Sequence, residues 1–163
     1  MAIFADGAAV LLEASQFRVG PRADVAGQGV HILVDQPAGA VLASFAQSRR
    51  VSEPTYLTVQ LDANTHLELE PSFVQFVNHS CDPNVSFDMA RLALVALRDL
   101  HAGDELTYFY PSTELTMAQP FDCACGSANC VGHISGASAM PRQVLERYDL
   151  SPFIRDWLAK HPD

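Results

Sequence analysis

Asn78-His79-Ser80-Cys81-Asp82-Pro83-Asn84, Gly103-Asp104-Glu105-Leu106-Thr107-Tyr108-Phe109-Tyr110 and Cys123-Ala124-Cys125-Gly126-Ser127-Ala128-Asn129-Cys130 decide what this chain folds into. The first stretch is built of Asn, Ser, Asp and Pro, which turn the backbone through local side-chain hydrogen bonds and a fixed φ. The second follows a Gly-Asp turn with a run that reads as a strand over 105–110. On a strand the side chains alternate, so Tyr108 and Tyr110 share a face and Phe109 points to the other. The third stretch packs three thiols into a short segment, with Gly126 allowing the sharp turn that tight spacing needs. Three clustered thiolates ask for a fourth ligand, because structural zinc is usually four-coordinate and tetrahedral. Cys81 is the one other cysteine. On spacing alone His79 and His133 are rival fourth ligands, and free thiols or a redox pair are the alternatives to a metal.

Outward from these stretches the chain reads as short strands and turns with a helical tail. Residues 30–34 follow Gly27-Gln28-Gly29 as a strand, and Leu57-Thr58-Val59-Gln60-Leu61 alternates apolar and polar residues. His66-Leu67-Glu68-Leu69-Glu70 alternates as well, and the polar link 62–65 makes residues 56–70 a hairpin. Residues 92–98 are a more continuously buried strand. Pro141 can open a helix, with Val144, Leu145 and Tyr148 on one stripe. Ser151-Pro152 resets it before Phe153, Ile154, Trp157 and Leu158. The expected organisation is a β-rich unit at 1–119, a cysteine-bearing segment at 120–136 and a helical appendage at 137–163.

Composition narrows the function classes. The chain has 163 residues, 48% of them hydrophobic and 18% charged, which suits one packed domain and excludes wholesale disorder. Nineteen acidic residues against ten basic give a formal charge of −9. Such a chain repels nucleic acid, which needs clustered Lys and Arg, and suits a cationic partner such as a lysine-rich peptide. The longest wholly apolar run, 92–97, is far short of the roughly 18 residues of a membrane span. Residues 1–6 carry no basic leader, so the expected setting is intracellular and reducing, where four cysteines suit a metal better than disulfides.

Taken in order, the three quoted stretches, with Gly132 and Ile134 following the last cysteine, resemble the SET-domain lysine methyltransferases that carry a post-SET zinc segment. Gly27-Gln28-Gly29-Val30 stands where that family has its first glycine motif, and the likeness covers roughly residues 16–136. The resemblance implies a mostly-β, β-clip-like SET fold with a threaded pseudoknot, a post-SET zinc loop and short C-terminal helices. It implies S-adenosylmethionine as methyl donor, a lysine-containing protein or peptide as acceptor, and one structural zinc. Its fourth zinc ligand is the cysteine of the Asn-His-Ser-Cys motif, so the ligand set becomes Cys81, Cys123, Cys125 and Cys130.

Carried over residue by residue, the resemblance places Gln28, Gly29, Asn78 and His79 against the cofactor. It makes Tyr110 the catalytic tyrosine and sets Tyr108 and Phe45 along the substrate channel, with Tyr108 limiting how many methyl groups fit. The chain departs from the family at three places. Ser44-Phe45-Ala46-Gln47 stands for Glu-Tyr-x-Gly, Gln75 for an arginine, and Phe109 for an aspartate. Two other classes remain: a methyltransferase for a small-molecule or other nonprotein acceptor, and an inert zinc-stabilised interaction module.

Overall fold

The computed structural model describes residues 11–23 and 26–162, so the expectation drawn from residues 1–6 lies outside the described residues. Strand β1 (Phe17–Pro21) forms an antiparallel hairpin with β2 (Gln28–Ile32), in a register that sets Phe17 opposite Ile32 and Gly20 opposite Gly29. Val30 and Ile32 are fully buried and anchor this hairpin in the core. Six further strands make two small three-stranded sheets. Strands β3 (Val41–Ser44), β8 (Val85–Asp88) and β9 (Ala93–Ala96) pair in the order β3-β9-β8. Strands β4 (Arg49–Val51), β5 (Thr58–Gln60) and β6 (His66–Glu68) pair in the order β4-β6-β5. The hairpin expected at 56–70 is present, with Val59 opposite Leu67.

The junction that matters for the site is made by β7 (Asn78–His79) and β10 (Glu105–Tyr108). Strand β10 lies antiparallel to β2 on one side and parallel to β7 on the other, with Tyr108 beside His79. Asn84 extends this ladder with its side chain. Its Oδ1 accepts from the Thr107 N–H at 2.8 Å, and its Nδ2 donates to the Glu105 carbonyl at 2.8 Å. The amide thereby mimics a strand residue and ties the first two quoted stretches together.

The strand expected over 105–110 stops at Tyr108. Pro111 has no N–H to offer a ladder, and the N–H groups of Thr113 and Glu114 turn back to the Tyr110 carbonyl, winding a short 3₁₀ turn at Tyr110–Ser112. Phe109 keeps extended dihedrals (φ −87°, ψ 103°), so the alternation survives the end of pairing. Tyr108 and Tyr110 stay together, with ring centroids 4.7 Å apart, while Phe109 faces a different core.

Two hydrophobic cores meet at this point. The larger holds Val30, Ile32, Leu42, Phe45, Leu67, Leu94, Leu106 and Tyr108. The smaller gathers Cys81, Phe109, Ile134, Leu145, Leu150, Ile154 and Leu158. Burying side chains such as Ile134, Leu145 and Ile154 contributes about 1.5–3 kcal/mol each. Strands β11 (Phe121–Asp122) and β12 (His133–Ile134) pair antiparallel and bracket the three late cysteines. Helices α1 (Arg142–Leu145) and α2 (Pro152–Lys160) then cap that core. Ser151 accepts the Ile154 N–H at 3.2 Å, so the Ser-Pro pair starts α2 as its chemistry dictates. Among the described residues no helix is long and apolar enough to cross a membrane.

Candidate active site

A cleft of about 470 Å³ opens between β5, the segment around residues 74–79, the end of β10 and the segment 117–125. Asn78, His79, Tyr108 and Tyr110 all line it, and Cys123 and Cys125 reach its rim. The parallel pairing of β7 with β10 is what brings the first two pairs of residues together.

Tyr110 has a definite hydrogen-bonding state. Its hydroxyl donates to the Val77 carbonyl at 3.3 Å, which uses the single O–H and leaves the oxygen lone pairs as acceptors. Burial pushes this phenol up to about 12, and burial raises Tyr108 well above the ordinary phenol range too, so both are neutral hydroxyls near pH 7. His79 fixes the backbone here. Its Nδ1 accepts the Tyr110 N–H at 3.2 Å, so the ring proton sits on Nε2, which faces the Cys81 sulfur at 3.4 Å. Burial, aided by the Arg22 charge, holds this imidazole down at about 4 and therefore neutral. Both ring nitrogens are thus engaged within the protein.

Asn78 donates from Nδ2 to the Gln28 carbonyl at 2.7 Å and to Glu105 Oε1 at 3.1 Å. The same carboxylate oxygen accepts from Arg22 Nε at 2.8 Å. Gly29 is a glycine because of this cluster. A Cβ at that position would lie 2.6 Å from Glu105 Oε1 and 3.1 Å from Asn78 Nδ2. The space beside the main chain is occupied by the protein's own side chains, and Gln28 itself is exposed and off the cleft wall.

Phe45 departs from its expected place on the substrate channel. It is fully buried and packs on Phe87 at 5.3 Å, and Phe87 in turn packs on Tyr108 at 4.3 Å. Phe45 follows the end of β3 and its ring enters the larger core, one layer behind the wall of the cleft. The other two departures have local roles. Gln75 lines the cleft and donates to the Leu69 carbonyl at 2.8 Å. Phe109 stacks on Tyr148 with centroids 3.6 Å apart, and the Tyr148 hydroxyl donates to the Cys81 carbonyl at 2.7 Å.

The four cysteines converge. Their sulfurs all lie within 4.8 Å of one another, and those of Cys81 and Cys123 are 3.9 Å apart. A tetrahedral site with bonds of 2.3 Å places its sulfurs about 3.8 Å apart, so this donor set suits a zinc ion. Gly126 adopts φ +72°, the left-handed turn that lets Cys125 and Cys130 face the same point. Val131 N–H points at the Cys81 sulfur at 3.5 Å, and Asn129 donates to the Cys81 carbonyl at 2.9 Å. Of the rival ligands, His79 sits behind Cys81 as a hydrogen-bond partner, and His133 pairs with Asp122 at 2.8 Å.

The structure adds a residue that the sequence reading missed. Glu114 lines the cleft with Tyr108 and Tyr110 and is only 7% exposed. Its Oε1 accepts from the Gln60 N–H at 2.8 Å and the Thr113 hydroxyl at 3.3 Å. Burial pushes its carboxyl up to about 7. In sequence Ser112-Thr113-Glu114 reads as a polar surface turn, and the only signal against that was its position just after the paired tyrosines.

Comparison with known proteins bears on the family. The family model described as the SET domain matches residues 22–111. The chain is 45% identical over 129 residues to "Methyltransferase flvH" of Aspergillus flavus, covering 78% of this chain and 72% of that protein. It is 39% identical over 74 residues to a histone-lysine N-methyltransferase, H3 lysine-36 specific, of Chaetomium globosum, covering 42% of this chain and 8% of that one. A solved structure of KRYPTONITE in complex with mCHH DNA, an H3(1–15) peptide and SAH superposes with a TM-score of 0.53 at 25% identity, over 72% of this chain and 29% of that chain. With a mostly-β fold, the SET model spanning more than half its length and its tyrosines and Asn-His pair in one cleft, the chain belongs to the SET-domain family of methyltransferases.

Proposed function

We propose that this protein transfers a methyl group from S-adenosylmethionine to the side-chain amine of a lysine in a protein substrate. The observation that carries this is the Tyr110 hydroxyl, which spends its proton on Val77 and keeps its lone pairs for an N–H donor inside the cleft. A cleft of about 470 Å³ is within the range of small-molecule sites, and Asn78 and His79 line it, which supports this reading. Bound there, the cofactor supplies an electrophilic methyl group on a sulfonium. The chain's residues do the rest. Asn78, oriented by the Gln28 carbonyl in the room that Gly29 leaves on β2, and His79, through its ring face since both nitrogens are engaged, hold the donor. Tyr110 accepts an N–H of the neutral amine and so points its lone pair at the methyl carbon, which is catalysis by positioning. Tyr108 limits the room beside the amine, and Phe45 backs that wall through Phe87. Cys81, Cys123, Cys125 and Cys130 hold one structural zinc that orders the rim. Residues 1–119 are the SET domain, 120–136 the zinc segment and 137–163 an appendage sharing the zinc segment's core, all acting in an intracellular setting.

A small-molecule amine is the second reading. It is favoured by the Aspergillus relative, which this chain matches over most of its length and whose name specifies no protein acceptor. Transfer of radiolabelled methyl from S-adenosylmethionine into a cell lysate separates the two. Label mapped to lysine side chains of protein is the expected result, and label confined to the small-molecule fraction favours the second reading. No label, with no saturable calorimetric signal for the cofactor, refutes both and leaves an inert module.

A further inference from the structure

Glu114 is a carboxylate buried where the fold has no use for a charge. Its structural task is to tether β5 to the turn after Tyr110. Gln60 gives its N–H to Glu114 Oε1, and the Gln60 side chain accepts the Leu115 N–H at 2.9 Å. A neutral glutamine at 114 could accept both bonds that Oε1 accepts. The charge costs folding energy, since a buried carboxylate without a cation loses hydration that two hydrogen bonds on Oε1 only partly replace. Among the described residues no Lys, Arg or His forms an ion pair with it, and no donor bonds its Oε2. The cleft it lines is open to solvent and walled by the two tyrosines. A buried anion that faces a cleft and lacks an internal cation is completed by a cation from outside.

We propose that Glu114 receives the protonated amine of the acceptor and takes its proton, so that the cleft selects primary or secondary alkylammonium substrates. This rests on the amine-acceptor reading above. The ammonium hydrogen-bonds to the carboxylate, one N–H bond breaks and an O–H bond forms at Glu114. The electron pair stays on nitrogen as the lone pair that attack requires, and the proton then leaves to water through the cleft mouth. A carboxyl raised to about 7 is matched to this task, while an ordinary carboxylate would be a weaker proton acceptor. Tyr108 and Tyr110 are the titratable groups facing Glu114. Both are neutral in this range, and Arg22 and Glu105 act on Tyr110 instead.

The experiment uses the zinc-loaded full chain at pH 8, with n-butylammonium as a lysine side-chain probe and n-butanol as its neutral counterpart. Binding is read by NMR titration in wild type, Glu114→Gln and Glu114→Asp, together with the carboxyl resonance of Glu114. Wild type should prefer butylammonium by at least about tenfold, the size of one charge-assisted hydrogen bond. Glu114→Gln should lose the preference and Glu114→Asp should keep part of it. The Glu114 resonance should titrate at lower pH when butylammonium is saturating. Equal affinity for both probes in wild type, or a preference that survives in Glu114→Gln, overturns the proposal. Should Glu114→Gln fail to fold, an unmoved Glu114 titration in wild type overturns it equally. Label absent from the lysate assay while the preference persists refutes methyl transfer alone; label present without the preference refutes only this role of Glu114.

Discussion

Replacing Glu114 with Gln should flatten the pH dependence of folding, and the size of the effect follows from burial. The carboxyl titrates near 4.5 when unperturbed and is pushed up to about 7 in the fold. The folded state therefore holds the proton more tightly than the unfolded chain does. Its stabilising contribution is fully present below about pH 4.5 and is lost as pH rises through about 7. At 1.36 kcal/mol per pKa unit the whole span is worth about 3 kcal/mol, of which roughly 2.5 kcal/mol falls between pH 5 and pH 8. Glu114→Gln keeps the acceptor for Gln60 and is neutral throughout, so it resembles the protonated wild type. Urea denaturation of both proteins at pH 5, 6, 7 and 8 measures the difference directly. The variant should gain on wild type by about 2 kcal/mol or more between the ends of that series. Parallel curves would refute the reasoning, because they would mean that Glu114 is hydrated and titrates as an ordinary carboxylate.

Cys81→Ser and Cys130→Ser should each lower bound zinc, and hydrogen exchange in Cys130→Ser should quicken at residues 120–135 more than in β2 or β9; a full metal complement in Cys81→Ser defeats the four-sulfur assignment. Asn78→Ala should weaken S-adenosylmethionine about five- to hundredfold by calorimetry, the cost of a buried polar contact of about 1–3 kcal/mol. Tyr110→Phe should bind the cofactor nearly as wild type yet lose on the order of a hundredfold in methyl transfer. Tyr108→Phe should stay active and shift its products toward higher methylation by mass spectrometry, and the reverse pattern would exchange the two assignments. Gly29→Ala should destabilise by about 1–3 kcal/mol in thermal or urea unfolding, because the new Cβ meets the Glu105 carboxylate, and an unchanged midpoint would count against that packing.

Local chemistry made much of the fold legible. The 56–70 hairpin follows from alternation and a polar link, Ser151-Pro152 carries its own helix start, and the cysteine spacing asks for one further ligand from elsewhere, which the family resemblance made Cys81. The shared face of Tyr108 and Tyr110 was also readable, even though the strand ends between them, because extended dihedrals at Phe109 preserve the alternation. What stayed hidden depends on pairing across the chain. Glu114 is buried only because β5, more than fifty residues earlier, offers it a backbone N–H. Gly29 suggests close approach of a ligand, yet Glu105 and Asn78 from two other strands fill the space. Phe45 follows the family's tyrosine in order of motifs, but sheet packing sets it a layer deeper than the cleft.

Phe109 and Tyr110 are adjacent in the chain but differently placed: Phe109 lies within the smaller core, and Tyr110 packs against both cores. Phe109 is clamped between His79 and Tyr148 in the smaller core, whereas Tyr110 leans on Tyr108 at the edge of the larger one. The reacting geometry is therefore set at a seam, and only one of its two sides depends on the sulfur cluster. Pulling that side away would rotate the backbone N–H that His79 holds and misdirect the tyrosine oxygen while the β-rich side remained folded. Chelation or gentle heating is thus expected to silence the protein at a point where its circular dichroism is still largely native, with function and fold failing in sequence.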